Sequence, residues 1–265
     1  MKVSLVGILL TKTGMSYLKI FLLALICVIS APSSADIVIL ASGQSNIARH
    51  HDFQWSPPQN LQVWNLHRIN EGYGSTDQDI GSAFEHWQGN EITVSVAYAA
   101  EVARQNPDEE VRLISIAWGG KSIDHWIGRA TPDIYSMVQR NVGVAFQQLP
   151  AGSEINEFLW WQGESDDNPY LSRYLEMEQN FRSQQHWFNY KTKIILITPN
   201  PSGNGGFQRF NGIAQSLFVA SLFAPSHRVT FVPSVYEFDD GIHLNSDQFF
   251  KFSKDLKRYV DDRFD

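Results

Sequence analysis

The segment from residue 37 to residue 46, with the sequence IVILASGQSN, sets an apolar run directly ahead of a glycine and a serine. A run of large aliphatic residues such as Ile37 to Leu40 is typical of a buried strand in a parallel sheet. A tight turn after this strand would lift the hydroxyl of Ser45 out of the core. A serine at this position either caps a helix, which serine favours, or serves as a nucleophile.

A second segment near the end of the chain, Asp240-Gly241-Ile242-His243, places an acid and an imidazole three residues apart. A serine oxygen is a poor nucleophile until a base takes its proton, and an acid improves the base by fixing its tautomer. Asp239 competes for the role of the acid, but the three-residue offset to His243 selects Asp240. The two segments together predict a catalytic triad.

Apolar runs alternate with amphipathic stretches along the chain. The strand-like runs are Asp36–Ala41, Val111–Ala117, Glu157–Trp161, Lys193–Thr198 and Arg228–Val232. The helical patterns cover Val94–Gln105, Tyr135–Leu149, Tyr170–Phe188, Phe207–Phe223 and Asp247–Asp261. This alternation predicts an α/β fold, a three-layer α/β/α sandwich around a central parallel sheet. Residues 49–90 are expected to form an irregular loop region with one short strand near Leu61–Leu66.

Length and charge limit the classes of function. The 265 residues, of which 43% are hydrophobic, predict a single catalytic domain over residues 36–265. The formal charge of −7 argues against a nucleic-acid partner, because phosphate contacts need clustered lysine and arginine.

The first 35 residues have the pattern of an N-terminal extension followed by a signal peptide. Lys19 precedes a short apolar stretch, and the small residues Ser33-Ser34-Ala35 are typical of a signal-peptidase cleavage site. The stretch is short for a membrane span, so we expect cleavage after Ala35, export to the periplasm or the medium, and no stable membrane insertion afterwards. Translation starts at Met1 or at Met15. Since Cys27 is the only cysteine, the mature chain would have no thiolate chemistry.

Two further motifs follow predicted strands. Gly119-Gly120 comes after the strand at Val111–Ala117, and Gln162-Gly163-Glu164 comes after the strand that ends at Trp161. In open parallel sheets, ligands bind beyond the carboxyl ends of the strands. The glycine pair, the glutamine motif, the serine and the acid–imidazole segment are therefore all expected at one edge of the sheet.

These motifs resemble the conserved blocks of SGNH hydrolases. The stretches that carry the resemblance read GQSN from Gly43, WGGKS from Trp118, WQGES from Trp161 and DGIH from Asp240. The sequence is most similar to the sialate O-acetylesterase-like branch, which includes the sixth carbohydrate esterase family. The resemblance covers nearly all of residues 36–265, in the right order, and implies a flavodoxin-like fold.

The resemblance also implies roles for individual residues. Ser45 would be the nucleophile, His243 the general base and Asp240 its partner. The oxyanion hole would consist of the backbone N–H groups of Ser45 and Gly120 and the side-chain amide of Gln162, with Gly119 as the alternative to Gly120. Because amides would supply the positive potential, neither a metal nor another cofactor is expected.

Substrate contacts are predicted for Asn46, Trp126 and Arg129. Trp126 follows the glycine pair and could stack on a sugar ring, as could Trp55 and Trp87. Arg129 suits a carboxylate of an acidic sugar, and a structural ion pair is the alternative. A structural role is likewise the alternative for Asn46.

Glu164 is expected to be a structural hydrogen-bonding residue rather than a general base. His50 and His51 are expected at the surface or the rim of a cleft, because no matching metal ligands accompany them.

The resulting functional prediction is an exported serine esterase that removes acetyl groups from a carbohydrate through an acyl-serine intermediate. O-acetylated sialic acid and acetylated polysaccharide both remain open as the substrate. One alternative is hydrolysis of a lipid ester or thioester with the same triad. Another is a non-catalytic carbohydrate-binding protein, against which the intact serine, aspartate and histidine argue.

Overall fold

The computed structural model describes residues 36–65, 80–88, 91–167, 169–184, 186–200, 208–224 and 226–264. All of them belong to the second of the chain's two compact units, Ala35–Asp265. The predicted leader, residues 1–35, lies outside the described residues, as does Leu66 of the predicted short strand. No helix among the described residues has the length and apolar character that crossing a membrane requires.

Nine strands and six α-helices make up the described part of the chain. The strands are β1 (Ile37–Gly43), β2 (His51–Asp52), β3 (Leu61–Trp64), β4 (Phe84–His86), β5 (Glu91–Ile92), β6 (Val111–Ala117), β7 (Ile155–Trp161), β8 (Lys193–Ile197) and β9 (Arg228–Phe231). The helices are α1 (Ser45–Ala48), α2 (Val94–Gln105), α3 (Ile134–Phe146), α4 (Tyr170–Gln184), α5 (Gln208–Leu222) and α6 (Phe249–Phe264). Short 3₁₀ turns occupy Ile123–Ile127 and Ser246–Gln248.

The central sheet has seven strands in the order β4-β3-β6-β1-β7-β8-β9. All neighbours are parallel except β4, which pairs antiparallel with β3 at one edge. The five strands β6-β1-β7-β8-β9 follow the doubly wound order of flavodoxin-like folds, in which the first strand lies between the next two along the chain. The predicted α/β fold with a central parallel sheet is confirmed.

Side chains of β1 alternate between two separate cores, one on each face of the sheet. Val38 and Leu40 join the core that α3, α4 and α5 cover. Ile39 and Ala41 join the core beneath α2 and α6. Both faces of β1 are therefore buried, which explains why its sequence is an uninterrupted apolar run.

The two tryptophans at the end of β7 divide between the same two cores. Trp160 meets Trp126 edge-on with ring centroids 5.5 Å apart, and Trp161 stacks on Phe252 at 5.0 Å. Both indoles have 0% exposure. Their packing fixes β7, which ends directly before the predicted glutamine motif.

The predicted elements agree with the structure apart from their ends. The helix predicted over Tyr135–Leu149 ends at Phe146, in keeping with Pro150, which disfavours helical backbone in the residue before it. The region predicted as largely irregular, residues 49–90, also contains β2 and β4, and β2 pairs antiparallel with β5 directly after that region. Strands of two or three residues are too short for their hydrophobic alternation to be recognised.

Gly43, the last residue of β1, lies close against the backbone of β7. Its φ is +141°, and a Cβ there would overlap the carbonyl oxygen of Trp161. The next residue, Gln44, donates its backbone N–H to that same carbonyl over 2.8 Å. The chain therefore leaves β1 in a turn that only glycine permits.

We expect Gly43→Ala to lower the free energy of unfolding by more than about 3 kcal/mol, because the methyl group meets rigid backbone and the φ angle is unfavourable. Gly143→Ala is the matched control. Gly143 lies within α3 with open space around it, so alanine there should stabilise the protein by roughly 0.5–1 kcal/mol. Chemical denaturation measures both changes. Equal effects of the two substitutions would contradict the assigned constraint at Gly43.

Candidate active site

The candidate site lies where the chain reverses its direction across the sheet. From β1 it passes through α2 to β6 on one side, and then through α3 to β7 on the other side. In the sheet, Gly43 is paired with Ala117 of β6 and with Trp161 of β7, so the three strands end level with one another. Such a switch point is the usual ligand site of a doubly wound sheet.

Ser45, His243 and Asp240 form one continuous chain of hydrogen bonds beside this switch point. The hydroxyl of Ser45 lies 2.8 Å from Nε2 of His243, and Nδ1 of His243 lies 2.6 Å from Oδ2 of Asp240. Ser45 is the first residue of α1, 6% exposed, whereas the imidazole is 24% exposed. The structure thus places a hydroxyl, an imidazole and a carboxylate in the order that proton transfer from serine requires.

The environment of Asp240 keeps its carboxyl group ionised. Partial burial acts to raise its pKa. The backbone N–H of His243, its imidazole and the N–H of Ile242 all donate to the carboxylate, however, and together they lower the pKa of Asp240 to about 2. An ionised acid at this position fixes the imidazole with its proton on Nδ1, which leaves Nε2 free to accept the proton of Ser45.

Asp239, the competing candidate for the acid, has a different partner. Its carboxylate forms an ion pair with Arg49 over 3.1 Å, just beyond α1. Its backbone N–H donates to the carbonyl of His243 over 2.9 Å, which closes the loop that carries the acid and the base. The arrangement agrees with the assignment of Asp240 as the partner of His243.

Gln44 connects the serine turn, which is the turn between β1 and α1, to the turn after β7. Its Oε1 accepts the backbone N–H groups of Gly163 and Glu164 over 3.0 and 2.9 Å, and its Nε2 donates to the hydroxyl of Ser165 over 2.7 Å. A single side chain therefore satisfies the backbone donors of the glutamine motif. Sequence analysis assigned no role to Gln44.

Asn46, on the other side of Ser45, also bonds to the protein. Its Nδ2 donates to Oε1 of Glu164 over 2.9 Å and to the carbonyl of Ile242 over 3.0 Å. Its Oδ1 accepts the N–H of Leu244 over 2.9 Å. Asn46 is 2% exposed, and both polar atoms of its amide form hydrogen bonds within the protein. This favours the structural alternative over a substrate contact.

Gly119 and Gly120 form the turn that leaves β6. The N–H of Trp118, at the start of this turn, donates to the carbonyl of Gly43 over 2.9 Å. Gly120 has φ of +67° and is exposed, whereas Gly119 is buried. The turn therefore adjoins the serine turn, with the bare backbone of Gly120 open to solvent.

Gln162 is fully buried at the end of β7. Its Nε2 donates to the carbonyl of Lys121 over 3.2 Å and, in a shorter bond, to the carboxylate of Asp166. That carboxylate also accepts the N–H of Ile123 over 2.9 Å. An amide nitrogen has two hydrogens, and both have protein acceptors here, so donation to an oxyanion would require one of these bonds to open.

Burial raises the pKa values of two acids on the turn after β7. At Glu164 and at Asp166, loss of solvent is the largest influence and outweighs the hydrogen bonds that favour the charged forms. Oε1 of Glu164 accepts from Asn46, while its Oε2 is buried without a partner among the described residues. Asp166, like Gln44, has a role that the sequence did not predict, because an aspartate four positions after a glutamine follows no motif.

The structure corrects the predicted substrate contact of Trp126. The side chain has 0% exposure, lies in the core beneath the glycine turn and donates its Nε1–H to the hydroxyl of Ser42 over 3.0 Å. A sugar ring cannot stack on a buried indole. Arg129 is exposed and forms an ion pair with Glu176 over 2.7 Å, which is the structural alternative considered for it.

His50 and His51 were expected at the surface or the rim of a cleft, without metal ligands around them. Among the described residues, no group of three or more histidine, cysteine, aspartate or glutamate side chains could hold an ion. His51 packs edge-on against Phe249. Burial and the neighbouring Arg49 lower the pKa of this imidazole.

The fold and the site define the class of protein as an SGNH-type hydrolase. A family model described as "Carbohydrate esterase, sialic acid-specific acetylesterase" matches residues 34–218. The chain therefore belongs to this family of carbohydrate esterases and is an acetylesterase. Comparison with curated protein sequences finds no significant match.

Solved structures with the same fold include three that are informative. A protein from Arabidopsis thaliana is 18% identical with a TM-score of 0.65, over 87% of this chain and 100% of that one. A carbohydrate acetylesterase from Xanthomonas citri is 15% identical with a TM-score of 0.54, over 84% of this chain and 56% of that one. A variant of an acetyl-xylooligosaccharide esterase from Geobacillus stearothermophilus is 11% identical with a TM-score of 0.51, over 86% and 95%. At these identities the likeness shows the fold.

We expect Asp240→Asn to destabilise the folded protein near neutral pH, with a difference that shrinks in acid. The folded pKa of Asp240, about 2, lies below the unfolded value of ~3.9. Its carboxylate therefore stabilises the fold fully above about pH 4, and this contribution disappears as the pH falls towards 2. Urea unfolding of both proteins from pH 2 to 7 measures the difference. A constant difference across this range would contradict the assigned environment of Asp240.

Proposed function

We propose that this protein removes O-acetyl groups from a carbohydrate by way of an acetyl-serine intermediate on Ser45. The observation that carries the proposal is the unbroken hydrogen-bond chain from Ser45 through His243 to Asp240 at the switch point of the sheet. Membership of a carbohydrate acetylesterase family supports the choice of ester.

The first half of the reaction transfers the acetyl group to the enzyme. The oxygen of Ser45 attacks the acetyl carbonyl while Nε2 of His243, 2.8 Å away, takes the hydroxyl proton. Asp240 stabilises the imidazolium that forms. When the tetrahedral intermediate collapses, the ester C–O bond breaks, His243 returns the proton to the sugar oxygen, and the deacetylated alcohol leaves.

The oxyanion of the tetrahedral intermediate needs hydrogen-bond donors. We assign this role to the N–H of Ser45, which has no acceptor within α1 because it is the first residue of that helix, and to the N–H of Gly120. Removal of one such donor typically costs about 3 kcal/mol of transition-state stabilisation. The amide of Gln162 would join them by releasing the carbonyl of Lys121, the longer of its two bonds.

The second half of the reaction returns Ser45 to its free form. Water attacks the acetyl carbonyl, and His243 takes a proton from this water as general base. The bond between the carbonyl carbon and the serine oxygen then breaks, and the imidazolium gives its proton to Ser45. Acetate leaves, so each cycle consumes one water and produces one acetate and one alcohol.

Two classes of acetylated sugar are consistent with the relatives. The description of the family model is sialic acid-specific acetylesterase. One protein with the same fold is an acetyl-xylooligosaccharide esterase. Arg129, the cation predicted to meet an acidic sugar, is already paired with Glu176. A direct comparison of acidic and neutral acetylated glycans is therefore the test of substrate class.

We expect Ser45→Ala to abolish acetate release from O-acetylated sialic acid or acetylated xylan while leaving the fold intact, because no other group replaces the nucleophile. The assay uses protein from residue 36 onward, with a short-chain p-nitrophenyl ester as a third substrate. Ser42→Ala is the matched control. Its hydroxyl lies on β1, donates to the carbonyl of Ile116 over 2.6 Å and should be dispensable for turnover.

The outcomes of this assay separate the candidate functions. Serine-dependent acetate release from one glycan supports the proposal and selects its substrate. Turnover of the synthetic ester alone points to a lipid ester or thioester. A Ser45→Ala variant that is folded and fully active contradicts the nucleophile, and no turnover with any substrate favours a carbohydrate-binding protein.

We also propose that the chain is exported and that its leader is removed after Ala35. The basic Lys19, the short apolar stretch and the small residues before Asp36 support this proposal. Expression of the full-length chain in a bacterium with a secretory pathway, followed by N-terminal sequencing of the exported protein, should show Asp36 as the first residue. An unprocessed protein that stays in the cytoplasm would contradict export.

A further inference from the structure

We propose that Glu164 is a positioning residue for His243 and acts through the amide of Asn46. This inference rests on the proposed function of His243 as the base. It concerns a contact that joins three separate segments of the chain, which are the serine turn, the turn after β7 and the loop of the acid and base.

Asn46 holds the backbone on both sides of His243. Its Nδ2 donates to the carbonyl of Ile242 over 3.0 Å, and its Oδ1 accepts the N–H of Leu244 over 2.9 Å. The residues before and after the imidazole are therefore bonded to one planar amide. Because Asn46 follows Ser45 directly in α1, the amide sets the distance between nucleophile and base.

Glu164 favours the same orientation of this amide as its two contacts with the His243 loop. Its Oε1 accepts from Nδ2 of Asn46 over 2.9 Å. If the amide were reversed, its oxygen would face the carboxyl group of Glu164 and the carbonyl of Ile242, and its nitrogen would face the N–H of Leu244. A carboxyl acceptor at position 164 therefore favours the single orientation that fits the His243 loop.

The position of Glu164 is in turn fixed by the residue before the nucleophile. The backbone N–H of Glu164 donates to Oε1 of Gln44 over 2.9 Å. Gln44 thus binds the main chain of Glu164, and Asn46 binds its side chain. Glu164 and Asn46 are 6% and 2% exposed, so water competes little for these bonds.

The test compares kcat and KM of four variants, measured over a range of substrate concentrations up to saturation. We expect Glu164→Ala and Asn46→Ala each to lower kcat by about tenfold to a hundredfold with KM changed by less than about threefold, because sub-ångström misplacement of the base affects the chemical step. Glu164→Gln keeps an acceptor for Asn46 and should retain kcat within about threefold. The double alanine variant should be no slower than Asn46→Ala, because the two residues act in series.

Glu157→Ala is the matched control for the loss of a buried carboxyl group. Glu157 lies on β7 like Trp161 but near its opposite end, is 5% exposed and accepts one side-chain bond, from Tyr98 over 2.9 Å. Its replacement should lower the melting temperature without a selective loss of kcat. A purely structural role of Glu164 would give the same result as this control.

A second measurement follows the loop independently of turnover. Hydrogen exchange of the backbone amide of Leu244 should become at least tenfold faster in Glu164→Ala and stay near the wild-type rate in Glu164→Gln and in Glu157→Ala. This result would support the proposal even if no acetate were released by the wild-type protein, and Ser45→Ala separately tests the proposed function.

Three results would overturn the positioning role. They are unchanged exchange at Leu244 in Glu164→Ala, kcat losses that multiply in the double variant, and a Glu164→Gln variant as impaired as Glu164→Ala. The last result would mean that the carboxylate charge, rather than the orientation of Asn46, is what the site requires.

Discussion

The rest of the site depends on the close approach of β1 to β7 at Gly43. The absence of a side chain there brings the carbonyl of Trp161 against the end of β1, and the N–H of Gln44 binds that carbonyl. Next to this contact, the turns at Gln44–Ser45, Gly119–Gly120 and Gln162–Glu164 begin side by side at the ends of β1, β6 and β7. Their separation is set by the spacing of neighbouring strands, about 4.8 Å, before any side chain of the site is added.

Three acids near the nucleophile experience opposite environments. Asp240 is half-exposed and surrounded by N–H donors, which lower its pKa, whereas burial raises the pKa values of Glu164 and Asp166. The difference matches their positions. The ionised acid faces the imidazole that would carry a positive charge in the proposed mechanism, and the acids that burial shifts towards neutrality accept hydrogen bonds from amides.

Much of this arrangement could be predicted from the sequence, because the positions of the strands, and of the motifs that follow them, can be recognised from apolar runs. The apolar runs predicted β1, β6, β7, β8 and β9, and parallel pairing then brings their following residues to one edge. The contacts of Asn46 and Asp166 could not be predicted. Both depend on which buried donors lie within 3 Å after packing, and no spacing along the chain encodes this. The prediction for Trp126 was wrong for the same reason. Its position in the sequence, shortly after Gly119-Gly120, suggested a residue of the cleft, but its indole is buried in the core.

The loop that carries the acid and the base is closed by its own backbone, through the bond from Asp239 to His243 and a bridge between Phe238 and Leu244. The acid and base therefore keep their mutual distance as a unit. In evolution, the segments between β7 and this loop can gain or lose residues without separating the pair. Only the docking of the loop onto α1 must be preserved, which leaves much of the surrounding surface free to change with the substrate.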